Sequence, residues 1–190
     1  MASGNAGKIR EIARLLDGLG IEVIAQSDLG VIDAEESGST FRENSLLKAR
    51  HAAAATGLPA IADDSGLSVD ALDGAPGVYS ARYAGPHGDD EANNDKLLRE
   101  LVGADTRAAA FHCVATFVDT DGEALLADGE WRGEILHERR GDGGFGYDPL
   151  FLVPECSCSS AELTAEQKNT RSHRGQALRK LVELIEKKYV

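Results

Sequence analysis

Long hydrophobic runs, a secretory segment and paired cysteines are all missing from this sequence. Its three cysteines, Cys113, Cys156 and Cys158, are an odd number, so we expect no disulfide framework and predict a reducing, cytoplasmic location. The Cys156-Ser157-Cys158 segment has no second ligand pair at zinc-like spacing, so a zinc site is not favoured. Because no apolar run approaches membrane-spanning length, we expect no membrane partner.

Basic residues are also scarce. Lysine and arginine number 20 against 32 aspartate and glutamate residues, which gives a formal net charge of −12 at pH 7. Duplex binding depends on many cationic contacts to phosphate, so we expect no nucleic-acid partner. A phosphate ligand would need a local cluster of cationic side chains, and a divalent cation would offset the charge of the ligand and of clustered acids. The residues available for such a cluster are Lys8, Lys48, Arg82, Lys168, His173 and Arg174.

Aromatic residues make up only 5% of the 190 residues, but hydrophobic residues as a whole make up 42%, enough for an ordinary core in one domain over residues 1–190. Apolar spacing and capping patterns predict helices at residues 7–19, 41–55 and 89–101 and after Thr164. Apolar runs predict strands at residues 21–24, 59–63, 67–71, 108–118, 123–127 and 131–136, with a turn at Ser65-Gly66. This mixture of crossovers and hairpin signals predicts an α/β fold, with a mixed β-sheet flanked by helices.

The segment Gly144–Pro149 is the most informative local feature. A glycine on each side of Phe145 lets the backbone approach a flat ligand, the ring offers a stacking face, and Tyr147 and Asp148 offer polar edges. Further along the chain, the Ser172-His173-Arg174 segment adds positive charge. The combination suits a nucleotide, although aromatic residues beside a tight turn are equally typical of a core.

Two further clusters point to phosphate and to a metal. In Ser3–Lys8, small residues leave backbone N–H groups exposed before a helix, and Lys8 supplies a charge for phosphate, but the glycine and hydroxyl positions of a Walker A loop are absent. In Asp63-Asp64-Ser65, two carboxylates and a hydroxyl follow a short apolar run, which indicates a magnesium site. Adjacent strand residues point to opposite faces, so Asp63 and Asp64 are not expected to serve a ligand in the same way.

Taken together, five segments resemble the inosine triphosphate pyrophosphatase family, and most closely its bacterial members that act on non-standard purine nucleoside triphosphates. In order, the segments are Ser3–Lys8, Asp63–Leu67, Gly74–Arg82, Phe145–Pro149 and Ser172–Arg174. The resemblance covers essentially the whole chain. It implies an elongated fold of two lobes with a nucleotide cleft between them, a homodimer, and magnesium-dependent cleavage of ITP, dITP and XTP to the monophosphate and pyrophosphate, which removes these nucleotides from the pool.

The resemblance also assigns residues. Asp64 resembles the catalytic carboxylate, and Glu35 and Asp64 resemble the Mg²⁺ ligands, with the adjacent Glu36 as the alternative to Glu35. Substrate contacts are implied at Ser3, Gly4, Asn5, Ala6, Gly7, Lys8, Ser65, Phe145, Gly146, Tyr147, Asp148, Lys168, His173 and Arg174.

The amino terminus departs from the family pattern. Family members usually carry a short apolar strand before the phosphate-binding loop, whereas here Met1 and Ala2 alone precede Ser3. We expect either that the recorded start lies too late or that this strand is missing. Its loss would loosen the loop that holds Lys8.

These assignments lead to a mechanistic hypothesis. Mg²⁺ held by Glu35 and Asp64 would bridge the triphosphate, while Asp64 orients or deprotonates the water that attacks the α-phosphorus. Donors from His173, Arg174 or nearby backbone would favour a purine with an oxygen at its six-position over adenine, which carries an amino group there. Guanine shares that oxygen, so its rejection must arise at the two-position.

Three other interpretations stay open. One is a related Maf-like pyrophosphatase acting on pyrimidine nucleotides, which a substrate panel would separate. Another is a regulatory module that binds nucleotides without turnover, which ITP binding without pyrophosphate release would identify. The last is an α/β protein whose motifs are purely structural.

Overall fold

The computed structural model describes residues 1–2, 6–16, 20–85 and 88–189. Three of the predicted phosphate-loop residues, Ser3, Gly4 and Asn5, lie outside the described residues, as do residues 17–19 of the first predicted helix. Ala6 and Gly7 are described by their backbone, which forms the start of that helix.

Five helices and five strands form the described fold. The helices are α1 (Ala6–Leu16), α2 (Phe41–Thr56), α3 (Asp90–Glu100), α4 (Ala165–Arg171) and α5 (His173–Tyr189). The strands are β1 (Ala60–Val69), β2 (Ala108–Val118), β3 (Ala124–Ile135), β4 (Phe151–Val153) and β5 (Cys158–Ser159). They form one sheet in the order β1-β2-β3-β4-β5, and β4 pairs antiparallel with both β3 and β5. The predicted α/β class, a sheet flanked by helices, is confirmed. No described helix is long and apolar enough to cross a membrane.

The chain divides into two compact units. The first contains Met1–Asp64, Cys113–Gly129 and Gln176–Val190, and the second contains Ser65–His112 and Glu130–Gly175. Each has its own apolar core. In the first unit, one cluster joins α1 and α5 to β1, β2 and β3 through residues that include Ile12, Leu16, Leu178 and Leu181, and a second, mostly of alanine, joins α2 to β1. The core of the second unit includes Leu67, Leu97, Phe111, Trp131, Tyr147 and Phe151.

Helix α2 is held by the caps that the sequence predicts. The Thr40 hydroxyl accepts a hydrogen bond of 3.1 Å from the Glu43 amide, and Gly57 ends the helix in the left-handed conformation at φ 68°. The Glu43 carboxylate accepts from the amide and the hydroxyl of Ser39, one residue earlier than in a standard capping box. The Thr40 bond satisfies one of the donors that the first turn of a helix leaves unpaired, and the Ser39 bonds hold the segment before the helix against it, so together they fix where α2 begins.

The predicted turn at Ser65-Gly66 is wrong. Strand β1 runs through both residues without interruption, from Ala60 to Val69. A Ser-Gly pair favours a turn only as a local preference, and pairing within a sheet overrides it here. The consequence is that Asp63, Asp64 and Ser65 are successive residues of one extended strand.

The predicted strand at residues 21–24 is also not formed as a strand. The amino group of Met1 donates to the Ile24 carbonyl (2.7 Å), the Gln26 amide donates to the Met1 carbonyl (3.0 Å), and the Ala2 amide donates to the Ile61 carbonyl of β1 (2.7 Å). Met1 and Ala2 thus link β1 to the 24–26 segment in the manner of a strand. Residues 21–24 have no regular strand assignment although these bonds reach Ile24.

Candidate active site

Strand β1 presents its two aspartates to different partners. Asp63 is 2% exposed, lies 2.9 Å from the Lys8 ammonium at the start of α1, and accepts from the Cys113 thiol of β2 at 3.9 Å. Asp64 is 8% exposed and pairs with Lys48 of α2. This separation agrees with the alternation of side chains along a strand. Asp63 serves as an anchor for Lys8, and Asp64 belongs to a separate acidic cluster.

The acidic cluster consists of Asp64, Glu36 and Lys48. The Lys48 ammonium lies 2.8 Å from Asp64 Oδ1 and 2.7 Å from Glu36 Oε1. One helical turn before Lys48, the buried Asn44 accepts a 2.7 Å bond from the Gly38 amide, which fastens the loop that carries Glu36 to α2. Gly38 has no room for a side chain, because a Cβ there would lie 2.6 Å from Asn44 Oδ1. The loop is therefore closely fitted to the helix.

Burial and charge oppose each other within this cluster. Burial raises the pKa of Asp64, and the negative charge of Glu36 adds to that rise, while Lys48 and Asn44 act against it. Burial alone would lower the pKa of Lys48, but Asp64 and Glu36 outweigh it, so the Lys48 pKa lies above its ordinary value. Lys48 therefore stays charged at neutral pH, and Asp64 is a stronger proton acceptor than an exposed aspartate.

The donor set of the acidic cluster suits magnesium. Carboxylate oxygens are the ligands that this ion prefers, and it commonly takes one or two of them together with substrate phosphates and water. Glu36 faces the same ammonium as Asp64, whereas the neighbouring Glu35 is exposed. Among the described residues no group of three His, Cys, Asp or Glu side chains is placed to hold a metal.

A second cluster, in the second unit, surrounds Phe145 and will be called the aromatic cluster. It contains Phe145, Asp148, Lys168 and Arg174. The Phe145 ring is 54% exposed, with the Lys168 ammonium 4.7 Å and the Arg174 guanidinium 5.8 Å from its centre. Exposed aromatic surface beside two cations is suited to a flat, negatively charged ligand.

Asp148 is the buried hydrogen-bond acceptor of this cluster. It is 3% exposed, and its Oδ2 accepts from the Phe145 amide at 2.8 Å and from Lys168 in a close ion pair. Its Oδ1 accepts from the Ser160 hydroxyl at 2.9 Å. A Cβ at Gly144 would lie 2.1 Å from Oδ2, and Gly144 has φ +77°, so only glycine fits this close approach.

The remaining predicted contacts are arranged around these groups. Arg174 donates from Nη2 to the Ser65 hydroxyl at 2.9 Å, and His173 stacks on Phe111 with ring centres 4.8 Å apart. Tyr147 is 5% exposed and donates to the Ser80 carbonyl, so its side chain belongs to the core and offers no free polar edge. Burial raises the Tyr147 pKa. The amide of Gly146 donates to Asp90 at 2.6 Å, at the start of α3.

Asn44 and Ser160 were not among the predicted site residues, and Lys48 was predicted only as one of six cations available to a phosphate ligand. Lys48 and Asn44 lie four residues apart and so share one face of α2. The neighbouring buried residues on this side of the helix, Ser45, Ala49 and Ala52, all have small side chains. A lysine within such a face is a sequence signal for a buried ion pair. Ser160 carries no comparable signal, because its partner Asp148 is twelve residues away across two strands.

The fold and these clusters define an α/β protein with a buried carboxylate–lysine pair and an exposed aromatic ring beside two cations. The model of the Ham1 family matches residues 1–184. The dITP/XTP pyrophosphatase of Thioalkalivibrio sulfidiphilus is 56% identical over 98% of this chain and 97% of its own length. A solved HAM1 protein from Coxiella burnetii superimposes with a TM-score of 0.92 at 48% identity, over 97% of this chain and 96% of that one. The Ham1 protein of Staphylococcus aureus gives 0.92 at 44% identity, over 98% and 96%.

The chain therefore belongs to the Ham1 family. The family predicted from the five segments is confirmed, and so is the prediction that the protein is an enzyme. An α/β protein with purely structural motifs is no longer an alternative.

Proposed function

We propose that this protein is a magnesium-dependent nucleoside triphosphate pyrophosphohydrolase that cleaves ITP, dITP and XTP to the monophosphate and pyrophosphate and so removes them from the nucleotide pool. The observation that carries the proposal is the Asp64–Lys48–Glu36 cluster on β1 and α2, in which a buried carboxylate is paired with a charged lysine. The name shared by its relatives, dITP/XTP pyrophosphatase, supports the choice of substrate.

Asp64 is proposed as the general base. Its burial and raised pKa favour proton acceptance from a water that attacks the α-phosphorus, while Lys48 offsets negative charge on the phosphate oxygens. Lys8, paired with Asp63, is proposed to bind phosphate from the amino-terminal end of α1. These cations act where charge builds up on the departing pyrophosphate.

Asp64 and Glu36 are proposed as the residues that hold magnesium. When bound, the ion would neutralise part of the triphosphate charge and favour in-line displacement. Glu36 is preferred to Glu35 because its carboxylate shares Lys48 with Asp64.

The aromatic cluster is proposed to bind the purine base. Phe145 offers a stacking surface, and the guanidinium of Arg174 offers donors to the six-position oxygen of hypoxanthine or xanthine. Adenine carries a donor at that position, so it would leave the Arg174 donors unpaired. Because His173 stacks on Phe111, we propose that it positions the adjacent Arg174.

A substrate panel tests the proposal. Pyrophosphate release would be measured from ITP, dITP, XTP, ATP, GTP and dTTP at equal concentrations, with magnesium and with chelator. We expect magnesium-dependent release confined largely to ITP, dITP and XTP. Preferential release from dTTP would instead support a pyrimidine-directed enzyme, and ITP binding without release would support a regulatory module.

The homodimer implied by the resemblance stays a prediction. Sedimentation equilibrium of the full chain, across a range of protein concentrations, would measure its mass directly. A single species at twice the chain mass of 20.1 kDa would support the dimer. A single species at 20.1 kDa would contradict it.

A further inference from the structure

Ser160 is a buried hydroxyl that no assigned role uses. It is 1% exposed and stands at the first position of the short helical turn Ser160–Glu162. The neighbouring Ser159 holds this turn in place with two hydrogen bonds. Its amide donates to the Glu162 carboxylate at 2.7 Å, and its hydroxyl donates to the Arg140 carbonyl at 2.6 Å. The position of the Ser160 hydroxyl is therefore set by a locally rigid turn.

This hydroxyl completes the hydrogen bonding of Asp148. The two oxygens of that carboxylate have different partners, since Oδ2 takes the Phe145 amide and Lys168 while Oδ1 takes Ser160. Within the described part of the chain, Ser160 is the one donor to Oδ1. A buried carboxylate needs donors on both oxygens, because an unpaired buried charge is costly.

The orientation of Asp148 controls the segment that carries Phe145. Its Oδ2 holds the Phe145 amide at 2.8 Å, and the backbone of Gly144 packs so closely that an added Cβ would lie 2.1 Å away. A rotation of the carboxylate would therefore displace the Phe145 backbone or the Lys168 ammonium. The Ser160 hydroxyl opposes that rotation by holding Oδ1.

We propose that Ser160 is a positioning residue for the aromatic cluster. Its hydroxyl fixes the Asp148 carboxylate, which in turn positions Phe145 and Lys168. This inference rests on the proposed function, because it assumes that Phe145 and Lys168 contact the base. Ser160 itself touches neither the base nor the phosphates.

The test compares Ser160→Ala with Ser159→Ala. Both substitutions remove one buried serine hydroxyl from the same turn, but Ser159 bonds the Arg140 carbonyl and not Asp148. For Ser160→Ala we expect the KM for ITP to rise about tenfold with kcat within about threefold, the scale of one hydrogen bond to a charged group. For Ser159→Ala we expect a KM within about twofold of the wild-type value.

Product inhibition provides a readout that a general loss of stability would not move. The inhibition constant of inosine monophosphate should rise about tenfold in Ser160→Ala, whereas that of pyrophosphate should stay within about twofold, because only the monophosphate carries the base. Equal changes in both constants, or none in either, would overturn the proposal. If the wild-type protein releases no pyrophosphate from ITP, the proposed function fails and not this inference alone.

Two further variants keep the test decisive. Should Ser160→Ala give little folded protein, Ser160→Cys, which keeps a side chain of similar shape with a weaker donor, is expected to raise the same two constants in the same direction. In a double-mutant cycle with Asp148→Asn, the effect of Ser160→Ala on KM should largely disappear, because both residues act through one carboxylate. Fully additive effects would show that Ser160 acts elsewhere.

Discussion

At the scale of single residues, the acidic cluster depends on a balance of two negative charges and one positive charge. Lys48 forms an ion pair with Asp64 and another with Glu36, and each of the three side chains is at most one-third exposed. Removing the Lys48 charge would leave two carboxylates without compensation, which costs more than the pair contributes, whereas removing one carboxylate charge leaves a single ion pair. Asparagine and glutamine, which keep side-chain shape, are therefore the substitutions that test the two carboxylates.

The first prediction concerns the proposed base. Asp64→Asn keeps the shape of the side chain but removes its ability to accept a proton, so kcat for ITP should fall at least about 100-fold. Pyrophosphate release at saturating ITP and magnesium measures it. Asp73→Asn, on an exposed turn where asparagine tolerates the left-handed conformation, is the matched control. Near-wild-type turnover in Asp64→Asn would remove the base assignment.

The second prediction separates two adjacent glutamates. Glu36→Gln should raise the magnesium concentration that gives half-maximal activity about tenfold, because it replaces one of the two carboxylates proposed to hold the ion with a neutral amide. Glu35→Gln, at the exposed neighbouring position, should leave that concentration within about twofold. A larger effect of Glu35→Gln would return the metal-binding role to Glu35.

Strand alternation predicts that Asp63 and Asp64 point to opposite faces, and the structure gives them different partners. The choice of Asp64 as the catalytic carboxylate rests on the family resemblance and stays a prediction. The alternation rule does not apply to the Glu35-Glu36 loop, so only the contact with Lys48 distinguishes those two residues. Tyr147 and Asp148 were predicted to offer polar groups to a ligand, yet both are buried. The local sequence does not set the direction of either side chain, so it could not predict this.

At the scale of elements, the start of α2 positions the loop that carries Glu36. Thr40→Ala removes the hydroxyl that caps the Glu43 amide and should destabilise the protein by about 1 kcal/mol. Urea unfolding at neutral pH measures this difference. Thr120→Ala, at the exposed turn between β2 and β3, is the matched control and should change stability by less than about 0.5 kcal/mol. An equal effect of the two substitutions would show that the cap contributes nothing specific.

Glu43 makes this region sensitive to acid. Hydrogen bonds from the Ser39 hydroxyl and backbone hold the pKa of Glu43 below its ordinary value. A lowered folded-state pKa contributes stability above the unfolded value, near 4.3, and that contribution is lost as pH falls through the lower folded value. The stability difference between wild type and Glu43→Gln should therefore be constant above about pH 5.5 and shrink below about pH 4.3.

Urea unfolding at pH 7, 5 and 3.5 would follow this difference. Glu22→Gln, at an exposed glutamate outside any helix, provides the matched comparison. A difference that grows as the pH falls would have the wrong sign for a lowered pKa and would contradict the role of Ser39.

Elements with strong local signals were predicted closely, and elements held by distant contacts were not. Helix α2 begins after Thr40 and ends before Gly57, because capping residues act within one turn. Strand β2 has the predicted bounds, Ala108–Val118. The continuity of β1 through Ser65-Gly66 depends on pairing with β2, some forty residues away, and no local signal reports such a partner.

At the scale of the whole molecule, a metal is predicted to serve catalysis and not folding. Magnesium is proposed to be held by Asp64, Glu36 and the substrate, and an ion held largely by substrate oxygens has no part in folding. Chelator should therefore abolish pyrophosphate release from ITP while the midpoint of thermal unfolding, measured by circular dichroism, moves by less than about 2 °C. A large fall in that midpoint would indicate a structural metal, and undiminished release would exclude magnesium dependence.

Sequence alone was enough to predict the family, the α/β class, the caps of α2 and the different surroundings of Asp63 and Asp64, because motifs, periodicity and strand alternation act over a few neighbouring residues. Four features became visible only in the folded chain: β1 is continuous, Glu36 and not Glu35 meets Lys48, Tyr147 is a core residue, and Ser160 completes the bonding of Asp148. Each of these depends on contacts between residues far apart in the chain. Such contacts arise when burial forces polar groups to find partners, and the partner is set by packing in three dimensions.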